Sequence, residues 1–288
     1  MKHIVLLSVL LGLLLLGLNG PGAPQPSISN TAVVPSSVTE LTPRAYLPIV
    51  VTRPVVSHFN TVPPGSQLPG DAECSAAVRP APENKGMNAA YNARRGGQSL
   101  AGTFFTSSDP RANTEIAARV SGNYAGTTDQ IIQWVACKWG IDEDVVRAQA
   151  ALESWWRQTN LGNWTSDASR CAPGHALGAD GKAGQCPGSW GVLQVNYHYY
   201  SSGWPGIADS TAFNLDTAYA VWRACYEGYE WWLNDVTRVG VYAAGDMWGC
   251  IGRWNTGKWH IPAAETYISD VQTRLTSRFW EQPVFQEP

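Results

Sequence analysis

Apolar positions recur at helical spacing in four stretches of the second half of the chain. Thr127-Thr128-Asp129-Gln130 has the form of a capping box. Ile131, Ile132, Val135, Ala136 and Trp139 follow on one face, and Gly140 is placed to end the helix. Asp142 can cap a second helix, with Glu143 and Asp144 at its positive end and Val145, Ala148, Leu152 and Trp156 as its apolar stripe. Glu153 lies off the centre of that stripe, near the helix's C-terminal end. Asn214 can cap a third helix carrying Leu215, Ala218, Trp222, Cys225, Tyr229 and Trp232 on one side. Pro262 suits the first turn of a last helix, in which Tyr267, Val271, Leu275 and Phe279 repeat every four residues. Between these, Thr159–Ser189 is Gly-rich and polar and reads as a long loop or small hairpin. Trp190–Val195 is a short apolar segment with one amide, and Ile251–Trp259 puts aromatics and an asparagine on a Gly-flanked turn. The pattern predicts a mainly α domain of roughly 220 residues with a small loop or hairpin region.

The N-terminal part differs in kind. After Lys2 and His3, Ile4–Leu18 is an apolar run shorter than the ~20 residues of a spanning helix, followed by small and polar residues. Residues 1–20 therefore read as an export signal, with a retained anchor as the alternative. Ten of the 19 prolines fall between Pro21 and Pro69, so 21–67 reads as a Pro-rich extended linker. Ala45–Val56 within it is apolar enough to dock as an edge strand. Residues 68–126 are expected to form an extension packed on the helical domain, which occupies 127–288.

Composition narrows the function. Hydrophobic residues make up 44% and charged residues 15%, enough apolar material for a core and too little charge for a disordered chain. A net charge of −3 argues against nucleic-acid binding, which needs a basic face. The six cysteines, an even count after an export signal, predict three disulfides in an oxidising compartment. Cys171 and Cys186 flank the Gly-rich loop and form the expected local pair, and a bonded Cys74 would tie the extension to the domain. No ligand spacing of a metal site is present, and a catalytic thiol would have to be left unpaired, so neither a metal nor a cofactor is expected. All 14 tryptophans lie between Trp134 and Trp280, which locates the working part of the chain.

The candidate chemistry centres on Glu153 in Ala-Leu-Glu-Ser-Trp-Trp. A carboxylate beside two indoles and a leucine is costly to ionise, because desolvation disfavours the charged form. Moving a glutamate from about 4.3 to about 6 takes about 2.3 kcal/mol. An acid so tuned can protonate a glycosidic oxygen, a poor leaving group until protonated. The alternative is a surface glutamate beside Arg157. Gln194, Trp254 and Asn255 add amides and aromatic faces, which suit sugar hydroxyls and the C–H faces of sugar rings; most tryptophans are expected to be core.

Four segments in order are Glu153-Ser154-Trp155-Trp156, Gly191-Val192-Leu193-Gln194-Val195, Asn214-Leu215 and Arg253-Trp254-Asn255-Thr256-Gly257. Together they resemble the soluble lytic transglycosylases and goose-type lysozymes of the lysozyme-like superfamily. There the corresponding segments are Glu-Ser-x-aromatic, Gly-Leu-Met-Gln-hydrophobic, Asn-hydrophobic and Ala-Tyr-Asn-Ala-Gly. The resemblance covers roughly Thr127–Phe279 and implies a lysozyme-like helical fold stapled by disulfides. It implies Glu153 as catalytic acid and then base, and Ser154, Gln194, Trp254 and Asn255 as substrate-binding residues. Trp254 stands where the family has tyrosine, and Ala218 where it has glycine.

The implied substrate is the β-1,4 bond between N-acetylmuramic acid and N-acetylglucosamine in peptidoglycan strands. With one carboxyl group the expected route is a lytic transglycosylase, giving an anhydro product. Asp167 or Asp180, as a second carboxylate, would favour a hydrolytic lysozyme. A glycan-binding module without catalysis and a chitosan- or chitin-cleaving relative are the rivals. The enzyme is expected to be secreted or in the cell envelope, monomeric, and free of the membrane once its signal is removed. Its chemistry requires a Glu153 carboxyl kept neutral by apolar surroundings and facing a groove wide enough for a polysaccharide.

Overall fold

The computed structural model describes residues 58–286 except 101, 103 and 236–240. The expected export signal, and the linker as far as residue 57, lie outside the described residues. From Phe59 onward the chain is packed, upstream of the boundary expected near Leu68: Phe59 is buried, and Val62 donates its amide to the Gly140 carbonyl at 3.1 Å. Proline excludes helical hydrogen bonds but leaves an extended segment free to dock.

The chain is mainly helical. Two short helices, α1 (Asp71–Ala77) and α2 (Ala89–Asn92), precede α3 (Thr128–Trp139) and α4 (Glu143–Ser154). A three-stranded antiparallel sheet of two-residue strands follows: β1 (Leu161–Gly162), β2 (Ser189–Trp190) and β3 (Val195–Asn196), in that order across the sheet. Leu161 pairs with Trp190, and Trp190 with Val195. Then come α5 (Gly206–Asp209), α6 (Thr211–Tyr226), α7 (Met247–Thr256) and α8 (Pro262–Thr276).

Local signals explain most of these boundaries. Thr127 and Gln130 form the predicted reciprocal capping box of α3, and Gly140 closes the helix in the left-handed region at φ 60°. Asp142 caps α4 through the amides of Asp144 and Val145. Three boundaries differ from expectation. The second helix stops at Ser154, and Trp155 and Trp156 both turn left-handed (φ 58° and 62°). Trp156 therefore leaves the helical stripe and folds back, donating its indole N–H to the Arg147 carbonyl at 2.9 Å. The third helix opens at Thr211, capped by Ser210, so Asn214 lies inside it. The segment expected as a turn at Arg253–Gly257 is the end of α7, whose N-cap is Asp246 and whose left-handed C-terminal residue is Gly257.

Five helices close a ring of contacts: α3 packs on α4, α4 on α8, α8 on α7, α7 on α6, and α6 back on α3. One fully buried carboxylate helps to fasten it. Asp216 of α6 accepts from Lys138 Nζ at 2.7 Å and from the Trp139 indole at 2.8 Å, both on α3. It also accepts from the amides of Ser121 and Gly122 at 2.8 and 2.9 Å. Four donors offset the desolvation of a charge that would otherwise be expelled.

All six cysteines are paired, as the even count predicts. Cys171–Cys186 closes the long loop, Cys74–Cys137 ties α1 to α3, and Cys225–Cys250 ties α6 to α7. These bonds are consistent with an extracellular protein. Among the described residues no helix is long and apolar enough to cross a membrane.

Asp216→Ala strands the buried Lys138 ammonium with only Asp71 as counter-charge, at 2.9 Å. The variant should lose about 3 kcal/mol of stability, read from urea unfolding curves of the two proteins.

Candidate active site

Glu153 is the penultimate residue of α4, and the ring of helices brings four other side chains to it or behind it. The Tyr267 hydroxyl, from α8, donates to Glu153 Oε1. The Trp254 indole, from the last turn of α7, hydrogen-bonds the same carboxyl. Behind Tyr267, Gln149 on the preceding turn of α4 donates from Nε2 to the phenol oxygen at 3.2 Å. Tyr219 of α6 in turn donates to Gln149 Oε1 at 2.8 Å. Gln149, Tyr219 and Tyr267 are all buried.

Burial pushes the Glu153 carboxyl up to about 7; the hydrogen bonds from Tyr267 and Trp254 act against it, because they favour the anion. Its place at the C-terminal end of α4 adds to the upward push, since that is the negative end of the helix dipole. Burial, reinforced by the charge of Glu153, also holds Tyr267 and Tyr219 well above the usual range for a phenol, so both stay protonated donors. The carboxyl is thus poised near neutrality, as an acid that can give up its proton and a carboxylate that has donors waiting.

The other residues expected at the site divide sharply. Trp254 touches the carboxyl and stacks on Tyr200 at 5.9 Å, with the ring planes 8° apart. Arg253 secures that pair, donating to the Tyr200 hydroxyl at 3.0 Å and to the buried Glu230 carboxylate at 2.6 Å. Asn255 is exposed at the end of α7. Ser154, expected to bind substrate, is buried, and its hydroxyl donates to the Val192 carbonyl at 2.9 Å. Gln194 takes a left-handed backbone (φ 49°) and donates from its amide nitrogen to the Asn160 and Gly191 carbonyls at 3.2 and 2.9 Å. Those donors serve the hairpin, leaving only the amide oxygen for a ligand.

Ser154, Gln158 and Asn214 instead hold the Gly191–Leu193 turn against the end of α4. Asn214 donates to the Trp190 and Ile207 carbonyls at 2.8 Å each and accepts from the Leu193 amide at 2.9 Å. Gln158 accepts from the Val192 amide at 3.2 Å. Gly191 (φ 76°) is required there, because a Cβ would lie 2.5 Å from the Asn214 amide nitrogen.

Neither candidate second carboxylate hydrogen-bonds Glu153. Asp167 is bound to Ser169, whose hydroxyl and amide hold its carboxyl below the usual range, and Asp180 is paired with His175 at 2.8 Å. The groove expected to be wide enough for a polysaccharide is not met here: Gln149, Leu193, Ala218, Tyr219, Trp222 and Trp254 line only a narrow recess, too small to hold a sugar ring. A larger cavity, about 440 Å3, lies at the opposite end of α4, where Arg147 is bound to Asp129 and Glu143. His58, Asp142 and Asp144 converge near that end, but Asp142 caps α4 and Asp144 is ion-paired to Arg147 and Arg278.

Sequence reasoning missed Tyr267, Gln149 and Tyr219. Tyr267 is legible only as a stripe residue of the last helix; its hydroxyl acquires meaning from α4 opposite.

The raised carboxyl has a consequence for stability. The folded chain holds the Glu153 proton up to about 7, whereas an exposed glutamate loses it near 4.5. Folded protein therefore binds more protons between those values, and stability falls as pH rises through that window. Glu153→Gln removes the effect. It should be more stable than the wild type by about 3 kcal/mol at pH 8, with the difference vanishing near pH 4, in denaturation curves at both pH values.

No family model, curated protein or solved structure matches this chain, so the reading of function rests on the geometry of the site.

Proposed function

We propose that the chain is an exported peptidoglycan-cleaving enzyme of lysozyme-like fold, a lytic transglycosylase with Glu153 as its acid and base. The observation that supports it is a half-buried carboxyl raised to about 7 and bracketed by the hydroxyl of Tyr267 and the indole of Trp254. Burial keeps the proton on Glu153 in the resting site. Once the proton has passed to the bridging oxygen between N-acetylmuramic acid and N-acetylglucosamine, the two donors stabilise the carboxylate left behind. The C–O bond breaks as the neighbouring acetamido group stabilises the positive sugar carbon. Glu153 then takes a proton from the sugar's own 6-hydroxyl, whose oxygen closes the anhydro ring. Water attacking in place of that hydroxyl would make the enzyme a lysozyme.

The intramolecular route needs no carboxyl group besides Glu153, whereas an inverting hydrolase would need a second one across the cleft. The recess beside the carboxyl is lined in part by Trp254, from the last turn of α7. Asn255 is exposed beside it and can meet the strand.

Glu153→Gln should keep the fold and lose nearly all release of soluble fragments from purified peptidoglycan; ordinary turnover by this variant would end the proposal. Product masses decide the route, since hydrolysis yields fragments heavier by one water than anhydro products. Activity requires the protonated acid and should fall as pH rises through about 7. Trp254→Phe removes a donor to the anion and should move that limb upward by about half a unit to one unit, visible in the pH profile of initial rates.

A further inference from the structure

The hydrogen bonds behind Glu153 run in one direction. Tyr219 gives its proton to Gln149 Oε1, Gln149 gives an amide proton to the Tyr267 oxygen, and Tyr267 gives its own to Glu153 Oε1. An amide has a donor end and an acceptor end, so its two partners see opposite roles. With the acceptor end held by Tyr219, the donor end faces Tyr267, and the phenol is left to donate forward.

We propose that Gln149 is a positioning residue that holds the Tyr267 hydroxyl as a donor to Glu153 Oε1, so that the transferable proton of the acid resides on Oε2. A carboxyl oxygen that accepts from a fixed donor is the poorer place for a proton, because the two hydrogens would meet. The Trp254 indole cannot take the proton either, since its N–H donates only. The acidic O–H is therefore kept from its neighbours and available to a substrate oxygen. The groups that face the carboxyl are Tyr267 from α8, Tyr219 from α6 and the Trp254 indole from α7. Gln149 is set one helical turn before the acid, on the same face of α4, so the rigidity of the helix fixes their separation.

The inference rests on Glu153 as the acid proposed above, but it is tested without substrate. The experiment is a 13C NMR titration of side-chain carboxyl signals in the folded full chain, with Glu153→Gln used to assign the Glu153 signal. In Gln149→Met, a near-isosteric apolar replacement, Tyr267 is free to turn and accept from the protonated acid, and its donation loses the support of the amide behind it. Both changes favour the neutral form, so the Glu153 titration should move upward by about half a unit to one unit. In a Tyr267→Phe background the same substitution should add no further shift, because Gln149 acts only through that hydroxyl.

An unchanged titration in Gln149→Met, or an equal shift with and without the Tyr267 hydroxyl, would overturn the proposal. A downward shift would also overturn it, since that is the signature of an amide set the other way round. Should Gln149→Met fail to fold, Tyr219→Phe carries the test: releasing the acceptor end of the amide should give a smaller upward shift, and no shift contradicts the proposal. Because no glycan is present, a failure here is distinct from failure to cleave peptidoglycan.

Discussion

The opposition between burial and hydrogen bonding at one carboxyl group organises this molecule. Burial alone would leave Glu153 permanently protonated, an acid unable to become a base. Donors alone would leave it an ordinary carboxylate, with no proton to give near neutral pH. The ring of helices supplies both, placing α4 against α8 and α7 so that apolar packing surrounds the carboxyl while Tyr267 and Trp254 reach it. A structure that must keep these opposing influences close to balance cannot let its helices slide.

Much of the remaining architecture resists that sliding. The buried Asp216 carboxylate joins α6 to α3 through Lys138 and Trp139. The Cys225–Cys250 bond joins α6 to α7, which carries Trp254, and Cys74–Cys137 fastens the N-terminal extension to α3. At the end of α4, Ser154, Gln158 and Asn214 lock the Gly191–Leu193 turn in place with polar bonds to its backbone. The motif residues thus separate into two kinds: Glu153 and Trp254 meet at the carboxyl, while Ser154 and Asn214 build the wall beside it.

Elements written in local signals were legible in the sequence. The Thr127/Gln130 box, the Asp142 cap, Gly140 and Pro262 mark ends that depend on a few neighbouring atoms, and the structure places helix ends there. Glu153 was singled out for the two indoles beside it in the sequence, but Trp155 and Trp156 pack on Phe285, and the side chains that meet the carboxyl come from α7 and α8. Asn214 was misplaced because an asparagine before an apolar run satisfies the rule for a cap as well as it satisfies two buried carbonyls inside a helix. Asp246 and Gly257, a cap and a left-handed stop, bounded α7 in the sequence, but the glycines between them suggested a turn. The partnership of Tyr267, Gln149 and Tyr219 could not be read at all, since it joins three helices across the ring and leaves no trace in spacing. The space beside the carboxyl was equally beyond a pattern of residues; the structure shows a narrow recess there, lined in part by Trp254.

The most direct measurement is the ionisation of Glu153 itself in the wild-type chain, followed by carboxyl NMR across the acid and neutral range. The account predicts one glutamate titrating at about 7, well apart from the others and missing when position 153 carries no acid. A Glu153 that titrates with ordinary glutamates near 4.5 would mean that water reaches the carboxyl freely, and the chemistry assigned to this site would have no foundation.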